Sequence, residues 1–350
     1  MTGPAQNGPT HNEFSGHARE VFQFQNLVGP LNVFNAPAAR ATPRRPRFFF
    51  KRAASESGPV HRRIGLWGPA ASGKTCFLTA LNVAAAQASP PWAMAGTTDS
   101  SREFLTRATA TMVGSRSFPG GTSTGTYLYD WLLTGELPGR RLLRRTGVRS
   151  EFSLTIMDAA GENFVSASPR SEMWPYLASC DGLVYFFDPL SPCAASDHTV
   201  LWTLDRLEAM CRHNPGTGDR RLPHKLAVCI AKADKPEIMA AARRHGLVKF
   251  VVDPTGRPLP AVHPDDAERF FDLLCDSMAN GSGELIRHAI RRYFRPERVR
   301  YFATSSIGFY QDSTPDDLYN VVRDGTSARL RGPIRPFNVL EPILWLQAPK

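Results

Sequence analysis

An apolar run that ends at Trp67 is followed by the loop sequence Gly-Pro-Ala-Ala-Ser-Gly-Lys-Thr at residues 68–75, and then by a helix-like run at residues 76–87. Glycines let backbone N–H groups wrap closely around phosphate oxygens, and a helix that begins at the loop directs further N–H groups at the same anion. Lys74 supplies a mobile positive charge for the β- and γ-phosphates, and Thr75 offers a hydroxyl to Mg²⁺. The pattern predicts a strand–loop–helix unit that binds a nucleoside triphosphate through Gly68, Pro69, Ala70, Ala71, Ser72, Gly73, Lys74, Thr75 and Cys76.

From Ile64 onward, short apolar runs alternate with segments of helical periodicity, which is typical of βαβ units. The strands are predicted at residues 64–67, 152–157, 183–187, 226–230 and 299–303. Helices are predicted after Lys74 and near residues 200–211, 236–245, 264–278 and 283–294. A last helix at residues 336–346 must either carry Pro342 early or be kinked there. The expected fold is α/β, with a mostly parallel sheet flanked by helices and an insertion between the first helix and the strand at 152–157.

The N-terminal residues 1–59 differ in composition from the rest of the chain, because they are rich in Pro, Asn, Gln, Gly and Ala and lack sustained periodicity. Such a composition predicts a disordered arm, followed by one folded domain over residues 60–350. Within the arm, residues 21–34 show a partly alternating apolar pattern. This segment is predicted to pair as a strand with a partner protein.

The formal net charge of +10 raises the question of a polyanionic partner. Many of the arginines lie in two loop-like stretches, residues 40–52 and 140–145, and we interpret them as solvated, so nucleic acid is not the favoured partner. No apolar stretch approaches the ~20 residues of a membrane-spanning helix, and the N-terminus lacks the pattern of a secretory signal. The six cysteines include no CxxC pair, so neither a disulfide framework nor a zinc site is indicated. These features favour a cytoplasmic protein without a membrane span.

A second motif, Leu-Thr-Ile-Met-Asp-Ala-Ala-Gly-Glu at residues 154–162, places Asp158 at the end of an apolar strand. Asp158 is predicted to hold Mg²⁺ through a water molecule, and Gly161 to present its N–H to the γ-phosphate. Glu162 follows at once and is predicted to position the attacking water. The catalytic candidates are therefore Lys74, Gly161 and Glu162.

A third motif, Ala-Lys-Ala-Asp at residues 231–234, follows the predicted strand at 226–230 and resembles the N/T-K-x-D guanine-recognition motif. Asp234 would accept hydrogen bonds from the guanine N1–H and exocyclic amine, while the stem of Lys232 would cover the ring. Ser305 and Ser306, after the strand at 299–303, resemble the loop that contacts the guanine carbonyl. The alternative interpretation of Lys232 and Asp234 is a surface ion pair at a strand end.

The order of these motifs is that of a Ras-like GTPase, and residues 60–347 resemble a GTPase domain of the translation-factor-related (TRAFAC) class. Four segments, at residues 99–105, 118–122, 158–162 and 336–345, are similar to bacterial double-GTPase families linked to conflict and signalling systems. The resemblance implies a GTP-binding and GTP-hydrolysing switch with Mg²⁺, GTP and GDP as ligands. It also implies a protein effector or a second GTPase as partner, and leaves a nucleotide-dependent dimer open.

The sequence departs from the usual GTPase pattern at several positions. Ala231 replaces the Asn or Thr that braces the base loop, which removes one hydrogen bond worth ~1 kcal/mol and keeps an ATP-using enzyme as an alternative. Glu162 replaces the glutamine that orients water, so slow intrinsic turnover is expected, and a non-hydrolysing scaffold is a further alternative. The threonine that closes on Mg²⁺ is one of Thr122, Thr124 and Thr126, and Thr122 is preferred because the preceding glycines permit loop closure.

Overall fold

The computed structural model describes residues 60–121, 126–137, 148–159, 173–191, 193–211, 221–252, 258–278, 281–310, 318–325 and 327–347. The predicted arm at 1–59, with its segment at 21–34, lies outside the described residues. Seven strands of the described residues belong to the main sheet: β1 (Val60–Trp67), β2 (Ala93–Gly96), β3 (Thr126–Leu137), β4 (Val148–Ala159), β5 (Gly182–Phe187), β6 (Lys225–Ile230) and β9 (Val299–Ala303). Their order in the sheet is β2-β3-β4-β1-β5-β6-β9.

Eight α-helices are present in the described part of the chain. They are α1 (Lys74–Gln87), α2 (Asp99–Thr109), α3 (Met173–Ala178), α4 (Cys193–Cys211), α5 (Pro236–Arg244), α6 (Ala267–Ser277), α7 (Ser282–Tyr293) and α8 (Leu340–Gln347). Two hairpins lie outside the main sheet: β7 (Val248–Val252) with β8 (Pro258–Val262), and β10 (Val321–Asp324) with β11 (Ser327–Leu330). None of the helices in the described ranges combines the length and the apolar character needed to cross a bilayer.

The central strands are parallel: β1 pairs with both β4 and β5, β5 pairs with β6, and β6 pairs with β9. Every residue of β5 is buried, which is the burial expected of a strand covered by helices on both faces. Alternate residues of β5 enter two cores: Tyr185 and Phe187 pack towards α3–α7, while Val184 and Phe186 pack towards α1, α2 and α8. The predicted α/β class with a mostly parallel sheet is therefore confirmed.

The long strand β3 departs from the sequence-based expectation, which assigned this region to an insertion. It runs antiparallel to β4 along its whole length, from Thr126 opposite Ala159 to Leu137 opposite Val148. The buried side chains Tyr129, Trp131 and Leu133 alternate along it, as a strand with one covered face requires. The insertion thus extends the parallel sheet with an antiparallel edge, β2-β3-β4.

The last helix begins at Leu340, four residues after the predicted start at residue 336. Pro342 lies in its first turn, where the missing N–H has no intrahelical partner in any case. The chain therefore accommodates this proline without a kink, by the first of the two options expected from the sequence.

Candidate functional site

A cavity of about 520 Å³ lies at the carboxyl edge of the parallel strands, where ligands of α/β proteins commonly bind. Its walls come from the loop after β1, the end of β4, the loops after β6 and β9, residues 118–121 and the β10–β11 hairpin. These segments are far apart in the sequence. The fold therefore brings the three predicted motifs to one cavity.

The loop after β1 has the backbone conformation that its glycines permit. Gly68 has φ +150° and Gly73, which caps α1, has φ +96°, both within the region that favours glycine. A Cβ at Gly68 would lie 2.9 Å from the carbonyl oxygen of Phe186. The loop therefore requires glycine at Gly68 for close approach to β5, and at Gly73 for the left-handed entry into the helix.

Lys74 is 6% exposed, and its Nζ donates to the carbonyl oxygens of Gly68 and Pro69, each at 3.0 Å. Burial lowers the pKa of Lys74 to about 8, although the nearby Asp158 carboxylate acts in the opposite direction. The ammonium therefore keeps its charge at neutral pH. An anion in the cavity would offset the cost of burying that charge.

Thr75, in the first turn of α1, contacts Asp158, near the end of β4, because the Thr75 hydroxyl donates to Asp158 Oδ2 at 3.2 Å. Asp158 is 1% exposed at the end of β4. A hydroxyl and a carboxylate side by side are oxygen ligands that suit Mg²⁺, so the two predicted metal-binding residues that the structure describes fit the ion. Thr122, Gly161 and Glu162 lie outside the described residues.

Cys76 follows in α1 and also contacts the cavity. Burial raises the pKa of its thiol to about 11, so the sulfur stays neutral beside the phosphate loop. The position contributes a small side chain to the cavity wall, and no charge.

At the opposite end of the cavity, Asp234 is 4% exposed and its Oδ1 accepts a 2.5 Å hydrogen bond from the Ser305 hydroxyl. Burial raises the pKa of Asp234 to about 6, and the Ser305 hydrogen bond opposes that rise. Ser305 in turn accepts from the N–H groups of Ile307 at 3.2 Å and Gly308 at 2.8 Å. The carboxyl is therefore held in one orientation by the loop after β9.

The structure places Ser305 behind the cavity wall rather than on it, unlike the contact with the guanine carbonyl predicted for it. Its side chain is buried behind Asp234 and is absent from the cavity wall, whereas Ser306 lines the cavity. Gly68 and Pro69 likewise contact Lys74 through their carbonyls rather than lining the cavity. These three residues hold groups that line the cavity.

Lys232 is not paired with Asp234, contrary to the ion pair considered as the alternative. Its Nζ lies 2.5 Å from Asp188 Oδ2, and its backbone has φ +57°. Asp188 is itself 4% exposed, follows the last residue of β5, and also accepts from the Leu190 N–H. This ion pair fixes the Lys232 side chain across the loop after β6.

Asp188 was missed by the sequence analysis. Its signal was nevertheless present, because an acidic residue directly after a buried parallel strand lies at the ligand edge of the sheet. Tyr319, Val321 and Arg323, which line the cavity in and next to the β10–β11 hairpin, were also missed, since no local motif marks them.

Ala231 stands where the guanine motif has Asn or Thr. Its side chain offers no hydrogen bond, but its backbone N–H donates to the Phe187 carbonyl at 2.8 Å, which ties the start of the loop after β6 to the end of β5.

No protein-family model matches the sequence, and no curated protein is similar to it. Among solved structures, the chain is similar to the crystal structure of the S. cerevisiae Ski7 GTPase-like domain bound to GTP, with a TM-score of 0.37 and 13% sequence identity. The similarity covers 82% of this chain and 49% of that one, so the chain spans about half the length of its neighbour.

Proposed function

We propose that this protein binds Mg²⁺·GTP in the cavity and hydrolyses it slowly to GDP and phosphate. The observation that carries the proposal is the pairing, in one cavity, of a buried lysine at a phosphate-binding loop with a buried carboxylate at the far end. Burial disfavours the charged form of each group, since it lowers the pKa of Lys74 and raises the pKa of Asp234. A nucleotide with an anionic end and a guanine end would compensate both.

The phosphate end is supported by Lys74, Thr75 and Asp158. Lys74 is held over the loop by two carbonyls and keeps a positive charge at neutral pH, as phosphate binding requires. Thr75 and Asp158 would hold Mg²⁺, which when bound neutralises charge on the phosphates. The backbone N–H groups at the start of α1 add further donors for the same oxygens.

The base end is supported by Asp234 and by the loops that hold it. A carboxylate presents two acceptors, and guanine presents two adjacent donors, N1–H and the exocyclic amine, that adenine does not present together. The Ser305 hydroxyl uses one lone pair of Oδ1, which leaves Oδ2 and the second lone pair of Oδ1 to accept from the two guanine donors. This complementarity favours GTP over ATP, even though Ala231 supplies no side-chain hydrogen bond.

The proposal that GTP is hydrolysed is based on sequence motifs, because the residues that would act on the γ-phosphate lie outside the described residues. Gly161 and Glu162 are proposed to meet the γ-phosphate and the attacking water, and Thr122 to close on Mg²⁺. A carboxylate at Glu162 accepts a proton but repels the phosphate, which is the reason for slow turnover. The place of the protein in a bacterial signalling or conflict system, with an effector or a second GTPase, is proposed from the sequence resemblance alone.

Two measurements test the proposal on the purified full chain. In competition against a fluorescent GDP, GTP should displace the probe far better than ATP, CTP or UTP. In a single turnover with excess protein, phosphate should be released slowly and only with Mg²⁺ present. Preference for ATP would overturn the guanine assignment, and GTP binding without any phosphate release would leave a nucleotide-binding scaffold as the function.

The affinity for GTP should fall as the pH drops below 6. Asp234 must be ionised to accept from guanine, and its pKa in the free protein is raised to about 6. Between pH 7.5 and pH 5 the ionised fraction drops about tenfold, and the affinity should drop with it. Inorganic triphosphate, measured in parallel, corrects for titration of the phosphates. A constant ratio of GTP to triphosphate affinity across this range would contradict the role of Asp234.

A further inference from the structure

One wall of the cavity is a single stretch of extended chain that ends in the β10–β11 hairpin. Tyr319, Val321 and Arg323 all line the cavity, whereas Val322 points away and is 49% exposed. This is the period of two that a strand gives to its side chains. One face of this strand is therefore turned along its whole length towards the proposed nucleotide.

The strand is anchored to the loop that orients Asp234. Asn320 is fully buried, and its Nδ2 donates to the carbonyls of Ile307 at 3.2 Å and Pro333 at 3.3 Å. Its Oδ1 accepts from the Gly332 N–H at 2.9 Å. Because every polar atom of this buried amide is bonded, the neighbouring Tyr319 is held in a fixed position relative to the base end of the cavity.

Tyr319 lies at the base end. Its side chain is half-buried, and burial and, to a lesser extent, the nearby Asp234 carboxylate raise the pKa of its phenol, whereas the Arg323 guanidinium acts in the opposite direction. The Asp234 carboxylate would bind the edge of the guanine base. The Tyr319 ring beside it is therefore placed to lie against the face of that base. Stacking on an aromatic side chain suits any base, because every base has a π-face.

Arg323 lies further along the same face. A strand advances about 3.3 Å per residue, so the Cα atoms of Tyr319 and Arg323 are separated by roughly 13 Å, comparable with the extended length of a nucleotide. Within the described ranges, no hydrogen bond or ion pair occupies the Arg323 guanidinium. The hairpin therefore places an available cation on the cavity wall, four residues beyond Tyr319 in the strand.

The hairpin also contacts the segment that precedes the candidate Mg²⁺ threonine. Leu330 donates its N–H to the Arg116 carbonyl at 2.8 Å, and Ser117 forms a bridge with Arg329. Residues 118, 119 and 121 of this segment also line the cavity. The wall is thus fixed on both sides, at the loop that orients Asp234 and at the segment that precedes Thr122.

We propose that this strand face is a nucleotide-binding element, in which the Tyr319 ring stacks on guanine and the Arg323 guanidinium binds the phosphate chain. The inference depends on the proposed function, since it names two further residues that bind the same ligand. It assigns to the chain itself a phosphate-binding arginine that no local sequence motif indicated. Val321, between the two, closes the wall over the middle of the ligand.

The test is a set of affinities for guanosine, GDP and GTP, measured by competition against a fluorescent GDP with the full chain. Tyr319→Leu should weaken all three ligands by about tenfold, because each carries the base, and Tyr319→Phe should retain wild-type affinity. Arg323→Gln should weaken GTP and GDP by about tenfold, as expected for a charged hydrogen bond, and leave guanosine unchanged. Arg329→Gln is the matched control, since Arg329 pairs with Val322 on the opposite face of the hairpin.

Several results would overturn the inference. They are unchanged affinities in Tyr319→Leu, equal losses for guanosine and GTP in Arg323→Gln, and equal effects of Arg323→Gln and Arg329→Gln. The outcome is separable from that of the proposed function by adding Lys74→Ala. GTP binding that is lost in Lys74→Ala but unaffected by both wall variants overturns this inference alone, whereas a wild-type chain that does not bind GTP overturns both.

Discussion

Replacing Lys74 with alanine should abolish GTP binding while leaving the fold intact. The ammonium is buried at the phosphate loop and is held by the carbonyls of Gly68 and Pro69. Charge-assisted hydrogen bonds to phosphate in a buried site are each worth ~2 to 3 kcal/mol, so losing the group should weaken GTP binding by at least about a hundredfold. Calorimetry with GTP and Mg²⁺ measures this loss directly.

The same variant should not lower the melting temperature at pH 7. The pKa of Lys74 falls from 10.5 to about 8 in the folded protein, so the folded state binds fewer protons than the unfolded state between these values. Stability linked to this group therefore rises as the pH rises through that window, and at pH 7 burial of the charge costs ~3 kcal/mol or less. Removal of the side chain relieves that cost, which offsets the loss of its hydrogen bonds to the Gly68 and Pro69 carbonyls.

Lys249→Ala is a suitable control for this experiment. Lys249 is exposed on β7, outside the cavity, and lies 3.3 Å from Asp266. Its loss removes the same formal charge without touching the phosphate loop, so GTP affinity should stay at the wild-type value. Undiminished affinity in Lys74→Ala would show that the loop at residues 68–75 does not bind the triphosphate.

Strands of the sheet that are buried on both faces were predicted from the sequence, whereas the long strand β3, which has only one buried face, was missed. Strands such as β5 and β6 are buried on both faces and appear in the sequence as unbroken apolar runs between turn residues. The strand β3 has one covered face, and its signal is the weaker alternation of Tyr129, Trp131 and Leu133 with partly exposed residues. The backbone hydrogen bonds of β3 are made with β4, which comes later in the chain. A local sequence pattern cannot indicate that pairing.

The site divides in the same way between local and distant determinants. The phosphate loop and Asp158 lie within short motifs, and the structure brings Thr75 to within 3.2 Å of Asp158 as those motifs require. The partner of Lys232, by contrast, is 44 residues away, and Ser305 is 71 residues from the carboxyl that it orients. Such pairs depend on the order of strands in the sheet, so the sequence identified the charged groups but not what holds them.

The second large effect is expected at the base end of the cavity. Asp234→Asn should change the preferred nucleotide from GTP to xanthosine triphosphate. The Ser305 hydroxyl accepts from Ile307 and Gly308, so its one proton is donated to Asp234 Oδ1. In the variant, the asparagine oxygen is expected to take that bond, which turns the amide nitrogen towards the cavity. A donor then faces the guanine donors, whereas xanthine presents a carbonyl acceptor at the position of the guanine amine.

The same substitution should not destabilise the ligand-free protein. The pKa of Asp234 is raised from 3.8 to about 6 in the folded state, so the folded protein binds more protons than the unfolded chain between these values. Stability linked to this group falls as the pH rises through that window, and the full cost of burying the carboxylate is present at pH 7. An amide has no such cost, so the melting temperature at pH 7 should be equal to or above that of the wild type.

Competition of GTP, xanthosine triphosphate and ATP against a fluorescent GDP or xanthosine diphosphate measures the exchange. GTP affinity should fall by several kcal/mol, because a buried mismatch adds ~1 to 3 kcal/mol to the bond that is lost. Glu237→Gln is the matched control, since Glu237 is an exposed carboxylate in the first turn of α5, close in sequence to Asp234. If Asp234→Asn keeps its GTP affinity, or the wild type prefers ATP, then Asp234 does not read the base, and its buried carboxyl serves only to fix the loop after β9.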